Sequence, residues 1–266
     1  MSTTSLSPLS PIPPELTLDE LKSFRAALSP SIRSDLDAWL TILTATVVSC
    51  HHGPESIVHL YELALTQTTS SFSADETSRK SASQRIQRLI QEALVKGSVI
   101  HGIPPSLDTI FALLTHIRAT SPSYLLDASH FARRSSLDKP ISSLTASAHE
   151  ALRRVYKHNL DQILTEKMGD NMEDLKFLTL EINYGFNLAC QEVIGWKLTE
   201  LVVLAALVTQ NCRTEVSWHL RGALRAGWSR EDVQSVREVA MSLARRLGVR
   251  TDKVPDLDEV KEDSND

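Results

Sequence analysis

The sequence predicts an all-α protein, and three observations carry that assignment. Only 9 glycines and 11 prolines occur among 266 residues, too few turn residues for the many short strands of a β protein. Aromatic residues make up 5% of the chain, low for sheets, which favour aromatic and β-branched side chains. Apolar residues recur three and four apart over most of the chain, the period of a helix that buries one face.

In chain order, Thr17 followed by Glu20 forms a capping-box pattern that opens a short helix running through Leu28. A second helix starts near Ser31 and carries Leu36, Leu40, Leu43 and Val47, ending by His52-Gly53-Pro54. Pro54 suits the first turn of the next helix, whose inner stripe is Ile57, Leu60, Tyr61 and Leu65. After a polar connection at 68–73, a basic helix from Asp75 to Lys96 turns Ile86, Leu89, Ile90 and Leu94 inward, with Gly97 as its stop and its cations as a solvated face. Ser106 is placed to cap a helix carrying Leu107, Ile110, Phe111, Leu114 and Ile117.

Weak periodicity and abundant serine over 119–147 mark a linker. Helical pattern resumes from Ala148 to Met168 and from Met172 to Glu192. The most apolar stretch, Thr199 to Gln210, reads as a buried helix. The following helix holds Trp218, Leu220, Ala223 and Leu224 and stops at Gly227, and Ser229 with Asp232 opens the last one, closed by Leu247-Gly248. The expected organisation is a tail at 1–14, a helical unit at 15–118, the linker at 119–147, a second helical unit at 148–250 and an acidic tail at 251–266. A weak internal repeat supports two related units: AWLTILTATVVSC ending at Cys50 aligns with ELVVLAALVTQNC ending at Cys212, and each leads to a His-Leu pair, His59-Leu60 and His219-Leu220.

Composition excludes several functions. A net charge of −5 offers no basic face for nucleic acid. No stretch reaches the roughly 20 apolar residues of a membrane span, and the amino terminus lacks the features of a secretory or transit leader. Three cysteines do not form a disulfide framework. These features lead to the expectation of a cytoplasmic protein. No glycine-rich phosphate loop is present, so no cofactor is expected.

The chemistry concentrates between Glu200 and Gly227. With Cys212 at the start of a helix, Cys212, Glu215 and His219 fall within an arc of about 60° on one face. A thiol, a carboxylate and an imidazole in that arrangement suit proton transfer, with Glu215 four residues from His219 to orient its ring; the ordinary alternative is a buried filler cysteine beside a surface Glu-His pair. His51, His52 and His59 with Glu55 and Glu62 hold metal-ligand residue types, but Gly53-Pro54 interrupts the helix they would need, and a helix-start cluster is the ordinary reading.

This window resembles the carboxymuconolactone decarboxylase and AhpD-like family, in the Glu200-Leu201-Val202 opening, Cys212, His219-Leu220, Gly222-Ala223-Leu224, Ala226-Gly227-Trp228-Ser229 and Glu231-Asp232, together with Tyr184-Gly185 upstream. The resemblance is good over 176–248 and implies an AhpD-like helical fold, present as two related units, and a homo-oligomer. AhpD-type peroxidases carry Cys-x-x-Cys-x-x-x-His with a glutamate twelve positions before the first cysteine. Glu200, Cys212 and His219 take three of those places, and Glu215 stands where the second cysteine would be. Disulfide cycling needs two thiols, so the departure points to the decarboxylase branch.

The expected function is a cofactor-independent decarboxylase or isomerase acting on a small lactone or keto-acid in a specialised biosynthetic pathway. His219 would be the proton carrier, Glu200 its partner or a second base, Glu215 an orienting group, and Arg213 or Arg221 a holder of an anionic substrate. The alternatives are a thiol antioxidant using Cys212 and a noncatalytic helical oligomer.

Overall fold

The structure is a computed structural model that describes residues 13–69, 75–131, 133 and 140–260. The expected tail up to residue 12, the end of the chain from residue 261, most of the connection at 68–73 and the middle of the expected linker lie outside the described residues. Among the described residues every regular element is helical: α1 (Leu18–Ala27), α2 (Pro30–Ser34), α3 (Leu36–Ser49), α4 (Gly53–Thr69), α5 (Glu76–His101), α6 (Ile103–Thr120), α7 (Ile141–Tyr156), α8 (Asn159–Gln162), α9 (Glu173–Phe177), α10 (Trp196–Thr209), α11 (Arg213–Arg225) and α12 (Arg230–Arg246). The chain continues from α8 into π-helical turns at Ile163–Met168, and from α9 into a longer π-helical run at Leu178–Leu188.

The middle of the molecule is the packing of α3 against α10, with α5 lying on both. Both central helices are apolar around their whole circumference, and residues 38–49 and 199–209 are buried without interruption. A helix apolar on every side is stable only when neighbours cover all of it. Here α4 and α5 cover α3, and α11 and α12 cover α10. One apolar core thus joins Trp39, Leu40 and Leu43 to Leu201, Leu204 and Val208. Each fully buried Leu, Ile or Val contributes roughly 1.5–3 kcal/mol. A smaller cluster of Ala148, Leu152, Leu160, Leu164 and Leu180 ties α7 to the π-helical segments.

Several boundaries differ from expectation, each for a visible reason. The helix expected from Ser31 is two: Asp35 ends α2 and caps α3 by accepting from the amides of Asp37 and Ala38. Gly97 does not end α5. A Cβ there would lie 2.5 Å from the His101 ring, so its bareness makes room for that ring, and the stop is Gly102 with φ of 82°. Gly102 also takes the N-cap place expected of Ser106, which sits inside α6 and bonds the His101 ring. α7 begins at Ile141, inside the expected linker, and its helix breaks at Lys157, whose φ is 47°.

Two expectations are overturned outright. Residues 251–260 are not a solvated tail: Thr251, Val254 and Leu257 are buried, and Arg237, Arg230 and Arg213 pair with Asp256, Asp258 and Glu259. Lys96 is no part of a solvated face. It is fully buried, and its ammonium donates to the carbonyls of Asn187, Leu188 and Cys190 at 3.2, 2.7 and 2.5 Å. Those oxygens lie at the end of the π-helical run, where the negative end of the helix dipole favours a cation; among the described residues, only the Asn187 carbonyl of the three also accepts from a backbone amide, that of Cys190.

Candidate functional site

α10 and α11 form a hairpin whose turn passes through Asn211 at φ 56° and reaches Cys212, the residue preceding α11. Because α10 is buried all round, Glu200 in its second turn is carried into the core with it. A carboxylate there is tolerated only with a partner. His219, two turns into α11 and also buried, supplies one: its Nδ1 lies 2.9 Å from Glu200 Oε2. The approach depends on Gly222. A Cβ at that position would lie 2.7 Å from Glu200 Oε2 and 2.8 Å from Val155 Cγ1, so any larger residue would push the carboxylate off its place.

Two tyrosines complete the surroundings. The Tyr156 ring, at the end of α7, meets Trp218 and His219 edge-on with centroids 5.4 and 6.4 Å apart. Its phenol hydrogen-bonds that of Tyr184, and burial pushes both phenols above their ordinary range, with the negative charge of Glu200 adding to the effect. Both are therefore neutral hydroxyls across the physiological range. Glu200 also lines a small void with Tyr184, Trp196 and Thr199.

The other expected residues are placed differently. Cys212 is half-buried, its Sγ 3.7 Å from the Leu207 carbonyl, and burial, reinforced by Glu215, pushes its thiol up to about 11. Glu215 is exposed, and its negative charge adds to the rise of that thiol; the carboxylate on the imidazole Nδ1 is that of Glu200. Thus α11 brings Glu215 to Cys212, while the pair that meets inside the fold comes from two helices. Arg213 is engaged by Glu259, and Arg221 lines a cavity beside Tyr156 and Trp218. Tyr156 was not singled out in the sequence, since nothing local separates it from any aromatic at the end of an amphipathic helix.

In the first half, Ala38 stands at the position aligned with Glu200. The Nδ1 of His59 is buried without a hydrogen-bond partner, as follows when no carboxylate reaches it. His51 and His52 lie in the turn before α4. Among the described residues no group of three or more His, Cys, Asp or Glu side chains is placed to hold a metal ion, and no helix is long and apolar enough to cross a membrane.

Burial of the thiols gives the fold an alkaline limit. Cys50 is pushed up to about 12 and Cys212 to about 11, above the unfolded value of about 8.5. A group whose folded pKa is raised contributes stability that is complete below the unfolded pKa and is lost as pH rises towards the folded one. Lys96 has the opposite sign: burial lowers it from 10.5 to about 8, so the cost of burying its charge fades between those values. Above its window the thiols and tyrosines dominate. The urea midpoint is expected to fall steeply between about pH 10 and pH 12, with a shallower fall in Cys50→Ala; an unchanged slope in that variant would remove Cys50 from the account.

No solved structure matches this chain. Two curated relatives do, both bearing the name Peroxisomal protein 2. That of Schizosaccharomyces pombe is 28% identical over 161 residues, 60% of this chain and 71% of the relative; that of Saccharomyces cerevisiae is 25% identical over 179 residues, 62% of the relative's length. The model of the carboxymuconolactone decarboxylase family matches residues 177–246, the stretch that contains α10, α11 and the Glu200–His219 pair. Over that stretch, all-helical and with Glu200 and His219 on its helical hairpin, the chain is similar to the carboxymuconolactone decarboxylase family.

Proposed function

We propose that the protein is a cofactor-independent decarboxylase or isomerase that moves a proton on a small lactone or keto-acid. The observation that carries the reading is the buried contact of 2.9 Å between Glu200 Oε2 and His219 Nδ1. A carboxylate on Nδ1 fixes the ring with its proton there and leaves Nε2 as the working nitrogen. In an isomerisation Nε2 takes a proton from carbon next to a carbonyl and returns it elsewhere on the enolate. In a decarboxylation the electron pair of the breaking C–C bond stays on carbon as carbon dioxide leaves, and a proton that Nε2 has taken up from water is delivered to that carbon. The neutral phenols of Tyr156 and Tyr184 are hydrogen-bond donors suited to a developing oxyanion. Incubating the protein with a panel of lactones and β-keto acids tests this, by release of carbon dioxide or by uptake of deuterium at carbon. Turnover by wild-type protein that persists in His219→Ala would refute it.

The thiol-antioxidant alternative meets a specific obstacle. With its pKa at about 11, Cys212 carries very little thiolate at neutral pH, and the thiolate is the reactive form. Its labelling by a disulfide reagent at pH 7 is expected to run about a hundredfold slower than that of an unperturbed thiol with pKa near 8.5. Labelling at the ordinary rate, with loss of peroxide consumption in Cys212→Ser, would restore that alternative.

The names of the two relatives favour the peroxisome over the cytosol expected from composition. A fluorescent fusion should co-localise with a peroxisomal marker in fungal cells, and diffuse signal would contradict it.

A further inference from the structure

A cavity of about 490 Å³ opens between α5, α6 and the π-helical run at Leu178–Leu188. That volume falls in the range of roughly 300–1,000 Å³ typical of small-molecule sites. Its walls include Leu94, Ile110 and Phe186, and Ile103, Leu107 and Ile182 line it while 58, 44 and 41% of their surface stays exposed. Apolar side chains gathered in water around one concave opening gain free energy when an apolar molecule covers them.

The polar groups of the wall narrow the ligand further. Two buried polar atoms on lining residues have no hydrogen-bond partner among the described residues: Oδ1 of Asn187 and Nε of Arg133. The Asn187 amide nitrogen donates to the Val95 carbonyl at 2.8 Å, which fixes its oxygen as the unfilled acceptor. Both terminal nitrogens of Arg133 are taken by Glu92, at 3.1 and 2.7 Å, which leaves Nε–H as the unfilled donor. Glu92 and Val95 are three residues apart on α5, so the two atoms stand against one stretch of that helix. Buried polar atoms are nearly always paired. Among the described residues Arg133 is the one charged side chain of the lining, and Glu92 answers its charge.

We propose that this cavity binds a neutral, largely apolar molecule that carries a hydroxyl group. A hydroxyl both accepts and donates, so it can take the Arg133 Nε proton and give its own to Asn187 Oδ1, while the hydrocarbon covers Ile103, Leu107 and Ile182. Arg133 and Asn187 each keep part of their surface open, and a small side-chain movement brings either atom to the ligand. A carboxylate only accepts; it would leave Oδ1 unfilled and enter beside Glu92. The site goes beyond the proton-transfer reading, because neither Glu200 nor His219 lines this cavity.

Displacement of the neutral dye N-phenyl-1-naphthylamine from the full chain at pH 7 tests it, with 1-octanol, octanoate and dibutyl ether as competitors of similar hydrocarbon size. The dye should bind saturably, and 1-octanol should displace it at about tenfold lower concentration than octanoate or the ether. Leu107→Lys and Ile182→Lys, at exposed positions, should each weaken dye binding about tenfold, whereas Leu175→Lys, exposed but outside the lining, should bind as wild type. His219→Gln should also bind as wild type even where it abolishes turnover, which separates this site from the proton-transfer reading. Absence of saturable dye binding would overturn the site, as would equal weakening in all three lysine variants, the mark of a general apolar surface. Octanoate or the ether displacing the dye as well as 1-octanol would overturn the hydroxyl ligand. A dimer in sedimentation that excludes the dye would make this face an interface between copies and overturn the proposal.

Discussion

Replacing His219 with alanine is expected to abolish proton transfer and, at the same time, to weaken the fold. The activity loss should be about 10²- to 10⁴-fold, the range supplied by a positioned acid or base. The stability loss has a separate origin. Glu200 would stay buried without its partner, and breaking a buried pair from one side costs about 3–5 kcal/mol. The Coulomb attraction lost is less important than the desolvated carboxylate left behind. Comparing His219→Ala with His219→Gln divides the two effects. Glutamine offers an amide donor in similar volume and should recover most of the stability, while it neither takes up nor releases a proton and should leave activity absent. Glu200→Gln keeps the volume and a hydrogen-bonding group beside the ring and removes the carboxylate that orients it, with an expected loss of about 10- to 100-fold. Full activity in His219→Gln would reduce His219 to a packing residue.

The second large effect lies far from that pair. Lys96→Met should destabilise the protein by about 3–5 kcal/mol, a fall in Tm of about 10 °C for a chain of this size. The ammonium bonds three carbonyls and lies 3.7 Å from Glu92, which also holds Arg133 through both carboxylate oxygens. Methionine fills the space but takes the donor away from the Leu188 and Cys190 carbonyls, and each unsatisfied buried group costs about 1–3 kcal/mol. Lys80→Met, at an exposed position on the same helix, should change stability by no more than about 0.5 kcal/mol. Equal effects from the two variants, read by thermal unfolding, would show that Lys96 does not hold the π-helical run in place.

Much of the fold was legible because helices announce themselves locally. The capping boxes at Thr17 and Ser229 are present as read, and the apolar runs became the two central helices. The misreadings share a cause. Gly97 has the composition of a helix stop, but its bareness serves the His101 ring; Lys96 belongs to a basic stretch, but its charge serves carbonyls about ninety residues away; the acidic end carries Val254 and Leu257 and meets arginines of α11 and α12. In each case a partner distant in sequence decides what the residue does.

The candidate site divides along the same line. The sequence by itself determined the helical class, the hairpin with Cys212 at its turn, and the identities of Glu200 and His219, since these follow from periodicity, capping and motif spacing within a few turns of chain. Only the tertiary structure decided that the imidazole faces Glu200 instead of Glu215, that Tyr156 closes over it, that Cys212 is raised to about 11, and that an apolar cavity opens between α5, α6 and the π-helical run. Spacing fixes which side chains share a helix face. Burial, and the partner that makes burial tolerable, depend on which helices pack together.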